Sequence, residues 1–452
     1  MTVDDRMADV TTSRAMLRFA LPTIIVMVCI SSYNIMDGAI VSNMIGTDAL
    51  AGLNIVMPAA SLFTAFGFMF ATGGSAYVAK ELGEGRLEKA KRDFTGITII
   101  GVLIAFAAMA VLEIWLDEIV SLMGADEVLH GYAAEYLGAL AWFAPIIVLQ
   151  FIFMQFLIVA GRPGLSLAGS VLSGLTNIVL DVVFIDMGMG MAGAAVASGI
   201  GSVMAFSVAV VYFVLRRDSP VRFARPSFER GMVVKVCSNG ASEMVTELSG
   251  SITTLLFNLT MMAYLGAAGV SSITIIMYVQ FLAIAVILGY SMGVAPLMSY
   301  NLGAERHDVM NTLFRTSLRL VCAVSLTIFV LMELFGWAVV GVFAGGSQEV
   351  TDIATRGAMI HSIAYLFMGF NCYVSSLFTS LNNGLLSALV SFIRGLCLLA
   401  PMIVLLPMVL GTDGIWLAVP VTEVVTVFVS LYFTLRMGPR YGYLGRSPVT
   451  SS

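Results

Sequence analysis

Ionisable residues stand inside apolar stretches of this chain, and their spacing is that of one helical turn. In SGLTNIVLDVVFI, residues 173–185, Asn177 and Asp181 are set into an otherwise hydrophobic run, and Asn34 and Asp37 are placed similarly in the first apolar stretch. A carboxylate in hydrocarbon is costly, so its presence points to binding or relay. Arg18 and Gly164 mark the same side of the membrane for their two stretches. As helices, the runs from Arg18 to Asp37 and from Gly164 to Asp181 rise ~28 and ~26 Å, at ~1.5 Å per residue, and bring the two carboxylates to one depth. Ser198, eight residues into the stretch that returns from the far side, reaches that level too. Two carboxylates brought together in low dielectric cannot both stay ionised without a counter-charge. They share a proton, hold a cation, or alternate between these states. That is the chemistry of a coupling-ion site for H+ or Na+. The alternative is that each aspartate separately satisfies a helix end or a buried water.

A second set lies in the other half of the chain: Glu243 and Glu247 one turn apart, Arg394, and Glu423. Arg394 and Glu423 are expected to form a buried ion pair with a structural role in preference to a substrate contact. Glu243 and Glu247 either attract a cationic substrate or a second ion, or are solvated residues of a cavity open to the cytoplasm. His130, His307 and His361 are scattered without metal spacing. Cys29, Cys237, Cys322, Cys372 and Cys397 lie in apolar stretches with no pairing pattern and read as small core residues. No nucleophile, metal or phosphate-binding constellation appears, so neither an enzyme nor a cofactor is expected.

The elements that position these groups follow from composition. Of 452 residues 59% are hydrophobic and 11% charged, with a mean hydropathy of +0.96, which marks a polytopic membrane protein. A helix needs ~20 residues to cross a ~30 Å hydrocarbon core. Twelve stretches qualify: 16–40, 50–79, 94–117, 132–160, 164–187, 190–215, 232–264, 269–300, 313–343, 353–381, 384–410 and 414–436. The first is followed at once by another helix and not by a small-residue cleavage site, so it is expected to be retained. Lys and Arg alternate from one loop to the next. Three lie in the N-terminal segment (Arg6, Arg14, Arg18), five lie between the second and third stretches, and six surround the segment after the sixth. Only Arg356 and Arg394 break this pattern. Positive-inside bias therefore puts both termini in the cytoplasm. It also accounts for the basic run at 216–235 without nucleic acid.

A single offset brings the two halves into register. Gly46 falls on Gly266, Gly73 on Gly293, and KELGEGR on YNLGAER, with Leu82, Gly83 and Arg86 meeting Leu302, Gly303 and Arg306. Phe94 meets Phe314, Glu113 meets Glu333, and near the end the offset slips by one so that Gly193 meets Gly414. Six helices per half is an even number, which makes this a parallel repeat about the membrane normal. The expected fold is all-α: twelve transmembrane helices in two six-helix bundles, residues 1–215 and 232–452, joined by a basic linker at 216–231. The repeat is also a control. Asp37, Asn177 and Asp181 correspond to Phe257, Cys397 and Pro401, so the fold itself does not require them. Glu243, Glu247, Arg394 and Glu423 correspond to Thr23, Met27, Gly174 and Val203 and are local additions as well. Glu113 and Glu333, matched across the repeat, are assigned to the membrane interface.

Pro22 in the first stretch, DGAIVSNMIGTDALAGL from Asp37, KELGEGRLEKAKR, GRPGLSLAGSVLSGLTNIVLDVVFI, GMAGAAVASGIG from 190 and GYSMGVAPLMSYNLGAER from 289 occur in this order. Together they resemble the multidrug and toxic compound extrusion (MATE) transporters over about residues 14 to 436. The resemblance implies a plasma-membrane antiporter, expected as a monomer, that exports cationic, amphipathic organic compounds in exchange for inward H+ or Na+. It implies that Asp37, Asn177, Asp181 and Ser198, where threonine is commoner, form a cation site in the N-terminal half. Some members use a glutamate on helix 7 and an aspartate on helix 10 instead. Here the helix 7 glutamates are spaced differently from the helix start and Asn371 stands nearest the middle of helix 10, so such a sodium site is not expected. A flippase for a lipid-linked precursor is the alternative, and a strongly basic cavity would favour it.

Overall fold

A computed structural model describes residues 12–216, 219–343 and 347–444, apart from the side chains of Asn34 and Thr47. The N-terminal lobe holds α1 (Ser13–Met44), α2 (Thr47–Gly83), α3 (Leu87–Ile114), α4 (Glu127–Ala141 with Ala144–Val159), α5 (Pro163–Asp186) and α6 (Gly190–Leu215). In the C-terminal lobe α7 and α8 share one helical run, Arg230–Gly303, broken at Gly266 by a backbone at φ 60°, ψ −153°. Then come α9 (His307–Phe343), α10 (Gln348–Ser362 with Tyr365–Ser380), α11 (Gly384–Leu410) and α12 (Thr412–Tyr441). The protein is thus a multi-pass membrane protein of twelve spans in two bundles. Two spans differ from the single rods expected: α4 bends by 56° and α10 by 54°, at equivalent places in the repeat.

The repeat continues beyond the last helix of each lobe. After α6 the chain packs back on α3: Ala224 N–H donates to Thr95 Oγ1 at 2.9 Å and Ser227 N–H to the Arg92 carbonyl at 3.2 Å. The Phe223 ring lies 5.3 Å from Phe94. After α12 the chain does the same on α9, with Tyr443 4.9 Å from Phe314 and its carbonyl accepting from Asn311 Nδ2 at 2.9 Å. Phe223 and Tyr443 are related by the same offset as Phe94 and Phe314. The segment expected as a linker is therefore also a clasp for its own lobe, though Arg217 and Asp218, like Arg6 near the N-terminus, lie outside the described residues.

The apolar core divides in a way that defines the overall shape. At the end bearing the linker a single core joins the lobes, with Met16, Phe70 and Phe94 in one body with Tyr290, Leu297 and Phe314. At the opposite end each lobe has its own core, around Leu53, Phe63 and Met191 in one and Phe257, Met261 and Trp416 in the other. Backbones cross closely at the joined end. A Cβ on Gly83 would collide with the Tyr300 carbonyl and one on Gly303 with that of Lys80, so only glycine fits at either crossing. Lys80 and Tyr300 are themselves partners in the repeat. Asn382 Nδ2 donates across the seam to the Ala76 carbonyl at 3.2 Å, and Gln155 Nε2 to that of Met292 at 3.3 Å. Ser61 and Ser251 hydroxyls also meet across the lobes, at 3.1 Å. The lobes are thus joined through one core at the linker end and part into two cores away from it.

The cysteines depart from expectation. Only Cys372 is buried, Cys29 and Cys237 are partly so, and Cys322 and Cys397 are exposed. The outer surface of a membrane helix is itself apolar, so an apolar sequence context does not identify the core.

Candidate functional site

Close packing of three helices builds the N-lobe site. At Gly174 a Cβ would lie 3.2 Å from the Tyr33 ring, so α5 admits α1 there. At Gly201 a Cβ would lie 2.9 Å from the Ser173 carbonyl and 3.2 Å from Asn177 Cβ, so α6 lies directly against α5. The side chains above these contacts converge. Asp37 and Asp181 are buried and lie within electrostatic reach of each other. Asn177 Nδ2 donates to Ser198 Oγ at 3.0 Å. Asp37 Oδ1, both oxygens of Asp181 and Asn177 Oδ1 are buried without a hydrogen-bond donor from the protein. Four unsatisfied oxygens in one buried cluster suit a proton or a small cation, because each retains lone pairs and, among the described residues, none faces a positive charge in that cluster. Of the residues singled out from sequence, this brings together Asp37, Asn177, Asp181 and Ser198. The side chain of Asn34 lies outside the described residues.

Tyr136, from the bent α4, completes the cluster and was not singled out from sequence. It is buried, interacts with Ser198, and lies in the field of both carboxylates and of Tyr33. The repeat gives no polar counterpart to flag it: α4 and α10 are related by an offset one residue longer than that of the earlier helices, and Tyr136 falls on Gly357. A tyrosine in an apolar stretch is too ordinary to stand out by itself.

The C-lobe cluster is built differently. Arg394 Nε donates to Glu423 Oε1 at 2.7 Å, and Asn371 Nδ2 donates to Glu423 Oε2 at 2.7 Å and to the Glu423 carbonyl at 2.9 Å. Arg394 also reaches Cys372 Sγ at 3.1 Å. Glu243 lies within electrostatic reach of Arg394, and Glu247 of Glu243. Arg394 sits in a π-helical turn, Ile393–Leu399, within α11. The starts of α4 and α10, at Glu127 and Gln348, and of α5 and α11, at Pro163 and Gly384, lie one position off the offset of the earlier helices, so the counterparts of Asn177 and Asp181 move by one to Leu398 and Met402. Both are apolar, and the contrast between lobes survives the correction. At the far end of α9 the Ser362 hydroxyl donates to Glu333 Oε1 at 2.5 Å, while Glu113 Oε1 is buried without a partner.

The MatE family model matches residues 22–183 and 244–404, one segment in each lobe. The chain belongs to the MatE family. Similar proteins include the multidrug export protein MepA of Staphylococcus saprophyticus, 22% identical over 423 residues that cover 92% of each chain. MepA of Staphylococcus haemolyticus is 23% identical over 434 residues, covering 94% of each. Among solved structures, a MATE protein in complex with MaL6 superposes with a TM-score of 0.90 at 22% identity, covering 96% of this chain and 98% of that one. An outward-facing multidrug resistance MATE family transporter gives 0.88 at 22% identity, with 94% and 96% covered. At this identity the structural likeness establishes the fold. MATE proteins are membrane transporters of small molecules, and this chain is one of them.

Proposed function

We propose that this MATE transporter is a secondary antiporter exporting cationic, amphipathic organic compounds in exchange for inward H+ or Na+, with the coupling cation held at Asp37 and Asp181. The observation that carries the reading is the buried carboxylate pair, flanked by Asn177, Ser198 and Tyr136, in one lobe while the other lobe fills the equivalent positions with apolar side chains. A cation bound there holds α1, α5 and α6 together, and its release loosens α1 from α5. The shape of the N-lobe wall thereby depends on the ion. With the basic loops and both termini in the cytoplasm, the end at which the two cores part faces outward, as drug release in an alternating-access cycle requires. Glu243 and Glu247 on α7 supply negative charge for a cationic substrate, and methionine and phenylalanine side chains supply an adaptable apolar lining. The name of the MepA relatives, multidrug export protein, supports a broad substrate range. An anionic lipid precursor fits less well, because Arg394 is already engaged with Glu423. We place the protein in the plasma membrane as a monomer.

The test is transport of a cationic dye by proteoliposomes under an imposed pH gradient or an imposed sodium gradient, applied separately. Asp37→Asn and Asp181→Asn should each abolish gradient-driven transport while leaving membrane insertion and thermal unfolding near wild type. Full transport by both single variants would sink the assignment.

A further inference from the structure

The lobes face the same electrostatic problem and solve it in different ways. Each buries carboxylates where an uncompensated charge is costly. Among the described residues of the N-lobe, the groups interacting with Asp37 and Asp181 are Tyr33, Tyr136, Asn177 and each other, all neutral or acidic. In the C-lobe the compensating cation belongs to the chain itself. Glu423 is 2% exposed, and its two carboxylate oxygens are taken by Arg394 Nε and Asn371 Nδ2, each at 2.7 Å.

We propose that Arg394 is a tethered cation that does for Glu423 in the C-lobe what a mobile monovalent cation does for Asp37 and Asp181 in the N-lobe, so that coupling runs through one lobe alone. The proposal rests on the coupling reading of Asp37 and Asp181. Three features beyond the ion pair support it. First, a guanidinium keeps its charge under all ordinary conditions and presents donors in a fixed fork, so Glu423 needs no further cation. Second, the backbone is adapted to deliver it. The π-helical turn Ile393–Leu399 begins one residue before Arg394, and a Cβ on Gly395 would lie 2.6 Å from Ser249 Cβ, so α11 packs tightly against the helix bearing Glu243 and Glu247. Such turns are a frequent accompaniment of functional positions. Third, every packed neighbour contributes an acceptor or a negative charge toward the guanidinium: Glu243 from α7, Cys372 from α10 and Glu423 from α12. Arg394 offsets one carboxylate of Glu243, Glu247 and Glu423. The α7 pair is left with negative charge to offer a cationic substrate.

The consequence is a gain of function on losing the arginine. Arg394→Ala should open a cation site at Glu423 where the wild type has none. The full-length protein is purified into nanodiscs carrying Asp37→Asn and Asp181→Asn, which silences the N-lobe. Radioactive sodium binding, proton uptake in weak buffer, and stabilisation by millimolar guanidinium are then measured. The parent double variant should bind no cation. Adding Arg394→Ala should raise binding to about one equivalent per chain, with the sodium and proton arms deciding which ion enters and guanidinium competing with either. Adding Glu423→Gln should remove the new site, and Arg394→Lys, which keeps the charge, should not create one. If Arg394→Ala does not fold even with guanidinium present, Arg394→Gln is measured in the same way. Cation binding by the alanine or glutamine variant no greater than by the lysine variant would overturn the proposal. Binding by the parent double variant would instead count against the N-lobe reading, while the increment on losing Arg394 is still read.

Discussion

Asn177 gives its side-chain amide to Ser198 Oγ at 3.0 Å, which leaves its own carbonyl oxygen buried and without a donor beside Asp181. Ser198 therefore sets which atom Asn177 offers to the carboxylates. Ser198→Ala should free the amide to turn and weaken coupling-ion binding by roughly 10- to 100-fold, the usual effect of losing a group that orients a ligand. Ser198→Thr keeps the acceptor and should stay within a few fold of wild type. The concentration of ion giving half-maximal dye transport in proteoliposomes reads the difference.

The two clasps predict unequal losses of stability. Tyr443 is fully buried and Phe223 is 40% exposed, although each stacks on the equivalent phenylalanine of its lobe. Tyr443→Ala should cost about 3–5 kcal/mol, as for other buried aromatic truncations. Phe223→Ala should cost distinctly less. Thermal unfolding of the two purified variants tests the order.

Gly83 and Gly303 allow the lobes to touch at the linker end, since a side chain on either meets a carbonyl of the other lobe. Gly303→Val should disfavour the arrangement joined at that end by about 1–3 kcal/mol, an overpacking cost, and so shift the balance of states by roughly 5- to 150-fold. Spin-label distances between the linker-side ends of α2 and α8 should lengthen in the variant and, because a Cβ alone already meets the Lys80 carbonyl, lengthen less but measurably in Gly303→Ser.

One coupling cation entering for one monovalent drug cation leaving moves no net charge. Steady accumulation should then respond to the ion gradient and be indifferent to a membrane potential clamped at zero or at about −100 mV. A second inward cation would add roughly 2.3 kcal/mol per 100 mV, which at ~1.4 kcal/mol per tenfold is a change of roughly 50-fold. Dye accumulation under a potassium–valinomycin clamp distinguishes the two.

Long apolar stretches made the spans legible in sequence, and a nearly constant offset made the repeat legible, because both accumulate over many residues. The shared depth of Asp37 and Asp181 was legible for a similar reason, since helical rise is uniform. Features that depend on one local departure were not. Pro145, at the start of the second half of α4, is the one sequence mark of its bend, and nothing around Ile363 announces that of α10; it is the bent α4 that carries Tyr136 into the cluster. The register shift of α10 and α11 is set before Gln348, ahead of the π-helical turn at Arg394, and counting from the sequence can place neither that extra residue nor the turn. The segment after α6 is rich in charge and proline, which conceals that Phe223 is the counterpart of Tyr443. Arg394 and Glu423 were legible as neighbours by depth, but the carbonyl and carboxylate contacts of Asn371 required the fold.

The most direct test of the coupling assignment is ion release on substrate binding. Purified protein in weakly buffered, sodium-loaded solution is mixed with a cationic substrate while proton release and displacement of radioactive sodium are followed together. Wild-type protein should release one of the two ions in proportion to substrate bound, and the Asp37→Asn, Asp181→Asn double variant should bind the substrate without releasing either. Equal ion release by the double variant would contradict the account.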